Sequence, residues 1–287
     1  MSILGLYMEI QKLAVREQIV KTVVKSGNGG AVWVPKDWMW KEVVVILPER
    51  PKLNLKERIV HLLEPYLKDV ICVGIYGSYA RNEQEKESDV DVLVVTKDKD
   101  IRLDFKSEGL DTISLPIDKL KKAIEKYPIY YYQIVQEARP LINSFILEEL
   151  KNAEIHRKNF KGYLKETREH IKSSRELLEL DRLDYSYLKS YSAVYSVFLR
   201  LKGLFIAKCI LNKNIFSSQK FRKWVIGKGL SIAEFEDCYK AYRLVRDGKN
   251  ANKPKIKIDV AEKALNILEK ELKILEARIY GKQEKKA

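Results

Sequence analysis

Between residues 51 and 145 the chain carries two hydrophobic rhythms. In "LNLKERIVHLLEPYLKDV" the apolar residues Leu55, Ile59, Leu62, Leu63 and Leu67 recur at the three-to-four-residue interval of a helix. "VICVGIY" (Val70–Tyr76) is instead a short continuous apolar run, the mark of a buried strand; "DVDVLVV" (Asp89–Val95) reads as a second strand and "LDTISLP" (Leu110–Pro116) as a third. The last run leads into a helix beginning near Ile117. Strands alternating with helical segments predict an α/β unit.

From about Phe145 onward the helical interval takes over. Segments Ile146–Leu180, Tyr185–Leu211, Ser218–Lys228, Ile232–Val245 and Val260–Tyr280 are predicted helices. "DRLD", "NKN", "GKG" and "DGKNANKPK" separate them with the Asn, Asp, Gly and Pro expected of breaks. Ahead of both regions, Val20–Lys25 and Ala31–Pro35 flank "SGNGG", whose glycines and Asn28 permit a tight hairpin, and Lys41–Pro48 reads as a third strand. The expected fold class is α+β in three domains. Residues 1–50 form a small β unit closed by Pro48–Pro51, residues 51–145 an α/β domain with a mixed sheet, and residues 146–287 an all-α bundle.

Charge changes this picture in one place. The net charge is +14, but residues 51–145 hold 15 basic and 16 acidic side chains while residues 146–287 hold 32 and 19. A surplus of +13 on the bundle favours an acidic partner such as RNA, DNA or an acidic protein surface, and equally suits a solvated lysine coat. Cys72, Cys209 and Cys238 are far apart, with neither a disulfide framework nor zinc spacing. With no apolar run approaching a membrane span and no basic lead into an apolar N-terminal segment, the expectation is a cytoplasmic protein.

The chemistry concentrates in "GIYGSYARNEQEKESDVDVLVV", Gly74–Val95. Residues two apart on a strand share a face, so Asp89 and Asp91 converge while Val90 and Val92 enter the opposite layer. Paired carboxylates suit magnesium, which binds through one or two of them together with phosphate oxygens and water. Gly77 and Ser78 fall where a strand ends and a helix begins, a place where backbone N–H groups and a hydroxyl favour phosphate. A Gly-Ser turn alone is usually just a turn, and an Asp-x-Asp alone is usually a solvated edge. Ten residues between Ser78 and Asp89, with apolar runs on both flanks, make the combination specific.

This pattern resembles the signature of the polymerase β-type nucleotidyltransferase superfamily, and "GSYAR…SDVDVLVV" most resembles its minimal branch. The resemblance implies that Gly77 and Ser78 contact nucleotide phosphates and that Asp89 and Asp91 bind magnesium, two ions being usual. It also implies a third acidic residue on a following strand, for which Asp111 is the first choice and Asp104 the second. Arg81, one turn beyond Ser78, is placed to reach a phosphate or to stay solvated. Asn82 departs from the glycine common at that position.

Two further resemblances bear on partners. "KSGNGGAVWVPKDWMWKEVVVIL" resembles AbrB/SpoVT-like domains, which commonly dimerise and often bind DNA, so residues 1–50 are expected to dimerise, contact DNA or serve as a packing appendage. The helical region is compatible with the HEPN-type domains that accompany minimal nucleotidyltransferases in toxin–antitoxin pairs, where AMP is added to the partner. None of His61, His156 and His170 follows an arginine at the nuclease spacing, so nuclease activity is not expected. The aromatic series Tyr187, Tyr191, Tyr195, Phe198 and Phe205 reads first as a core stripe and second as a stacking platform. The expected activity is magnesium-dependent transfer of AMP from ATP onto an acceptor hydroxyl of a protein. RNA or a small molecule as acceptor, or a nucleotide-sensing DNA-binding regulator without turnover, are the alternatives.

Overall fold

The computed structural model describes residues 17, 19, 21–45, 53–85, 88–249 and 254–281. The chain divides into two compact units, Met1–Leu53 and Asn54–Ala287.

In the first unit, β1 (Val24–Ser26) and β2 (Gly29–Ala31) form the expected antiparallel hairpin, with Val24 opposite Ala31 and Ser26 opposite Gly29. Gly27 takes φ +56°, the left-handed backbone that the turn requires. The strands are shorter than the apolar runs that suggested them. Residues 41–45 form no strand, which corrects the expected third one; residues 46–50 lie outside the described residues.

The second unit opens on α1 (Leu55–Leu63), whose start is fixed by a reciprocal cap: Asn54 accepts from the Lys56 and Glu57 amides while Glu57 accepts from the Asn54 amide. Then come β3 (Val70–Tyr76), α2 (Gly77–Arg81), β4 (Val90–Thr96), β5 (Leu110–Pro116), α3 (Ile117–Lys126), α4 (Tyr131–Glu137), β6 (Arg139–Ile142) and α5 (Ser144–Lys151). The mixed sheet has the order β5-β4-β3-β6, with β4 and β5 parallel and the other pairs antiparallel. Its two faces bury alternate residues. Val73, Ile75, Val92 and Val94 pack with Ile59 and Leu63 of α1, whereas Leu93 and Val95 pack with Leu120, Ile124, Val135 and Leu147 of α3–α5.

The bundle comprises α6 (Lys161–Asp184), α7 (Ser192–Leu211), α8 (Ser218–Ile226), α9 (Ile232–Arg246) and α10 (Ile258–Tyr280), with its own core around Phe160, Phe198, Leu201, Phe221, Phe235 and Leu268. Two sequence expectations change here. Ile146–Leu180 is not one helix: the chain breaks after Lys151, and Ile155, packed against both the bundle core and the α3–α5 core, bridges the two. Residues 185–191 precede α7 and are not helical, because Leu188 and Tyr191 bond instead to the chain leading into α10. Of the aromatic series, Phe198 is buried, Tyr195 stacks on Tyr242 at 5.6 Å and Phe205 meets Trp224 at a tilt at 5.2 Å, a core arrangement, while Tyr187 is exposed. The three cysteines are buried and free. Among the described residues no helix is long and apolar enough to cross a membrane.

Candidate active site

Three strands deliver one row of polar side chains to the end of the sheet. Tyr76 of β3 stands opposite Asp91 of β4, and Asp91 stands opposite Asp111 of β5. Asp91 shares its face with Leu93 and Val95, so it emerges from the side that α3–α5 cover, just where that cover ends. Burial, then the nearby carboxylates of Asp111 and Glu137, push the Asp91 carboxyl up to about 6; Arg81 works in the opposite direction and Asp89 adds the smallest push. Burial and the same Asp91 charge also raise the Tyr76 phenol far above its ordinary range.

Gly77 turns the chain out of β3 at φ +72°. A Cβ there would overlap the Asp91 carboxylate, so glycine is required twice, by backbone conformation and by space. Ser78 follows half-buried, and among the described residues no hydrogen bond ties up its hydroxyl. Asn82 ends α2 at φ +56°, which explains the departure from glycine noted in the sequence: asparagine is the side-chain-bearing residue that best tolerates this conformation.

Glu137, at the end of α4, reaches back to this turn. Its Oε1 accepts the Gly77 N–H at 3.1 Å, and its Oε2 accepts Arg81 Nη1 at 2.6 Å and Gln133 Nε2 at 3.1 Å. Arg81 donates its Nε to Glu83 at 2.9 Å. Two edges of the guanidinium are thus committed to carboxylates.

The bundle closes the other side. Glu83 accepts from the Ser217 hydroxyl at 3.0 Å and the Ser218 amide at 3.2 Å, at the start of α8. Burial opposes its charge, but hydrogen bonds from Arg81, Ser218 and Ser217 hold its carboxyl below the usual range. Arg243 of α9 grips Glu85 with two parallel bonds of 2.7 Å. The Phe216 ring lies 5.3 Å from the Arg81 guanidinium and 5.3 Å from the Lys202 ammonium. Burial, reinforced by the Arg81 and Arg246 charges, pushes Lys202 down to about 8, against the pull of Glu137 and Asp91. Among the described residues no carboxylate pairs with Lys202. It is a cation held by α7 beside the acidic row.

These residues fit a hard divalent cation by donor chemistry. Among the described residues no three His, Cys, Asp or Glu side chains gather into a ready cage. Magnesium does not need one, since one or two carboxylates suffice when phosphate and water complete its shell. Asp91 and Asp111 stand opposite each other, and the push of Asp111 on the Asp91 carboxyl outweighs the pull of Arg81, a repulsion that a dication would relieve.

The sequence-predicted residues are therefore distributed unequally. Gly77, Asp91 and Asp111 come together, with Ser78 beside them; Asp89 lies one residue before β4 rather than within it. Asp104, the alternative third acid, caps the turn at Lys106 in the loop before β5. Glu137, Glu83 and Lys202 were not singled out. Glu137 sits in a helix without a motif, whereas Lys202 did leave a trace: a lone lysine in the apolar stretch "LKGLFIA".

Residues 57–144 match the family model described as "Polymerase beta, Nucleotidyltransferase". No curated protein matches the chain. Among solved structures, a toxin–antitoxin with AMP-PNP aligns at 17% identity over 45% of this chain and 99% of that one, with a TM-score of 0.26. Spectinomycin adenyltransferase AAD(9) from Enterococcus faecialis, with ATP and spectinomycin, aligns at 14% identity over 75% and 97%, with a TM-score of 0.40. A nucleotidyltransferase-like protein from Exiguobacterium sibiricum 255-15 aligns at 15% identity over 80% and 78%, with a TM-score of 0.37. Tyr76, Asp91, Asp111 and the Gly77 turn all lie within residues 57–144, the segment that matches the polymerase β nucleotidyltransferase family model.

Proposed function

We propose that the protein transfers a nucleoside monophosphate, AMP from ATP, onto an acceptor hydroxyl of a partner protein. The observation that carries this reading is the direct opposition of Asp91 and Asp111 beside the Gly77 turn, inside the matched domain. Gly77 and Ser78 receive the triphosphate, as a turn does when its glycine lets phosphate approach the backbone. Asp89, Asp91 and Asp111 are the candidate ligands for magnesium, which when bound would supply charge neutralisation for the triphosphate. Asp111, the most open member of the row, accepts the proton of the acceptor hydroxyl as that oxygen bonds to the α-phosphorus and pyrophosphate leaves. Lys202 stands on the bundle side of the cleft, where its charge balances the departing pyrophosphate. Arg81, committed to Glu83 and Glu137, shapes the turn rather than following the phosphates. The basic bundle presents the acceptor.

The test is incubation with magnesium, cell extract and ATP labelled at either the α- or the γ-phosphate. The expected result is an α-labelled protein band that the γ label does not give and that Asp91→Asn and Asp111→Asn lose. Label in RNA or a small molecule would replace the acceptor, and no transfer of either label would overturn the enzymatic reading.

A further inference from the structure

We propose that Glu137 is a positioning residue that ties the nucleotide turn to the helical bundle, so that the turn and the start of α8 move as one. The functional half of this proposal rests on the nucleotidyl-transfer reading; the mechanical half does not.

The Glu137 side chain is 6% exposed and spends both oxygens: one on the Gly77 N–H, the other on Arg81 and Gln133. The Arg81 side chain is 16% exposed and passes the connection to Glu83, which bonds the Ser217 hydroxyl and Ser218 amide where α8 begins. The ring of Phe216, the residue just before that helix start, lies against the same guanidinium. Charged hydrogen bonds run without a gap from the turn out of β3 to the first residues of α8. Such bonds are short and directional, and a charge buried with its partners satisfied resists displacement because any shift leaves a donor or acceptor bare. Gly77 is also pressed against Asp91, so Glu137 fixes the clearance between the turn and the acidic row. The consequence is mechanical: triphosphate seated on the turn orders the start of α8, and loosening α8 loosens the turn.

Glu137→Gln separates this role from simple filling of space. Its amide oxygen still accepts from Gly77, but its NH2 group faces Arg81, donor against donor. Backbone hydrogen exchange of the full chain is the primary readout. The expected result is exchange about tenfold faster at residues 77–83 and also at 217–221, the loss of a charged hydrogen bond. The apparent KM for the triphosphate should rise more than kcat falls, and Glu137→Asp should not restore it because the shorter arm misses Gly77. Unchanged exchange at 217–221 in a folded Glu137→Gln protein overturns the proposal. If that variant does not fold, Glu83→Gln reads the link from the other end: faster exchange of the Gly77 amide supports it, and an unchanged rate overturns it. Coupled exchange in a wild-type protein that transfers no label defeats the nucleotidyl-transfer reading while leaving the link standing; active enzyme with uncoupled exchange defeats the link alone.

Discussion

Gly77 and Asp91 are in such close approach that the space a β-carbon would take on the first is filled by the carboxylate of the second. The contact joins the end of β3 to the acidic row and makes the turn and the carboxylates one object. Gly77→Ala must leave the left-handed region, at about 1–2 kcal/mol, and also displace Asp91. Thermal unfolding should show a stability loss of about 2–4 kcal/mol, with transfer reduced at least a hundredfold. Retained activity in Gly77→Ala would show that the turn does not set the position of Asp91.

Asp91 carries a stability cost whose sign can be measured. Its carboxyl, raised to about 6 from 3.8, binds more protons in the folded chain than in the unfolded one between those values. The stabilisation it offers is therefore present at low pH and lost as pH rises through about 6. Asp91→Asn should be more stable than wild type at pH 7 without magnesium, on the order of 1–3 kcal/mol, and inactive. Melting curves from pH 4 to 8 should show the two proteins converging at the acid end, and magnesium should narrow the gap at pH 7 by stabilising wild type alone.

Lys202 gives the alkaline counterpart. Lowered to about 8 from 10.5, it is charged in the unfolded chain and neutral in the folded one between those values, so its penalty on folding fades as pH rises across that window. Lys202→Met should melt higher than wild type at pH 7 and bind triphosphate more weakly. In wild type, kcat/KM should decline above pH 8 as the ammonium is lost, and Lys202→Arg should shift that decline upward. A pH profile flat to 9.5 would remove Lys202 from the site.

Glu271 is fully buried in the bundle between Lys208 and Lys228, the latter 2.7 Å away. Burial opposes its charge, yet the two lysines hold its carboxyl below the ordinary range. Glu271→Ala leaves Lys208 and Lys228 without their shared carboxylate, and a loss of about 3 kcal/mol is expected in denaturant titration. A loss below 1 kcal/mol would mean that water reaches those lysines.

The sequence carried the acidic row well and the braces around it poorly. Apolar runs marked β3 to the residue and β4 to within one, because strands buried on both faces are largely apolar; β5 was also placed to the residue, although Asp111, Thr112 and Ser114 interrupt its apolar positions and most of it is only half-buried. Asp91 was legible as a carboxylate that such a strand does not tolerate without a reason. The register placing Asp111 beside it is a tertiary fact, and only the sheet separates Asp111 from Asp104. α4 and β6 were missed: the polar Gln133, Gln136 and Glu137 interrupt an apolar face that one short helix cannot display over two full turns. The third strand expected at Lys41–Pro48 rested on β-branched residues alone, and Val43, Val44 and Val45 stand exposed with no partner strand among the described residues.

The most direct measurement is equilibrium titration of a non-hydrolysable ATP analogue into wild type and into Asp91→Asn/Asp111→Asn, each with and without magnesium. The account predicts that magnesium tightens binding to wild type at least tenfold and leaves the double variant unchanged. Equal magnesium dependence in both proteins, or no binding to either, would contradict it.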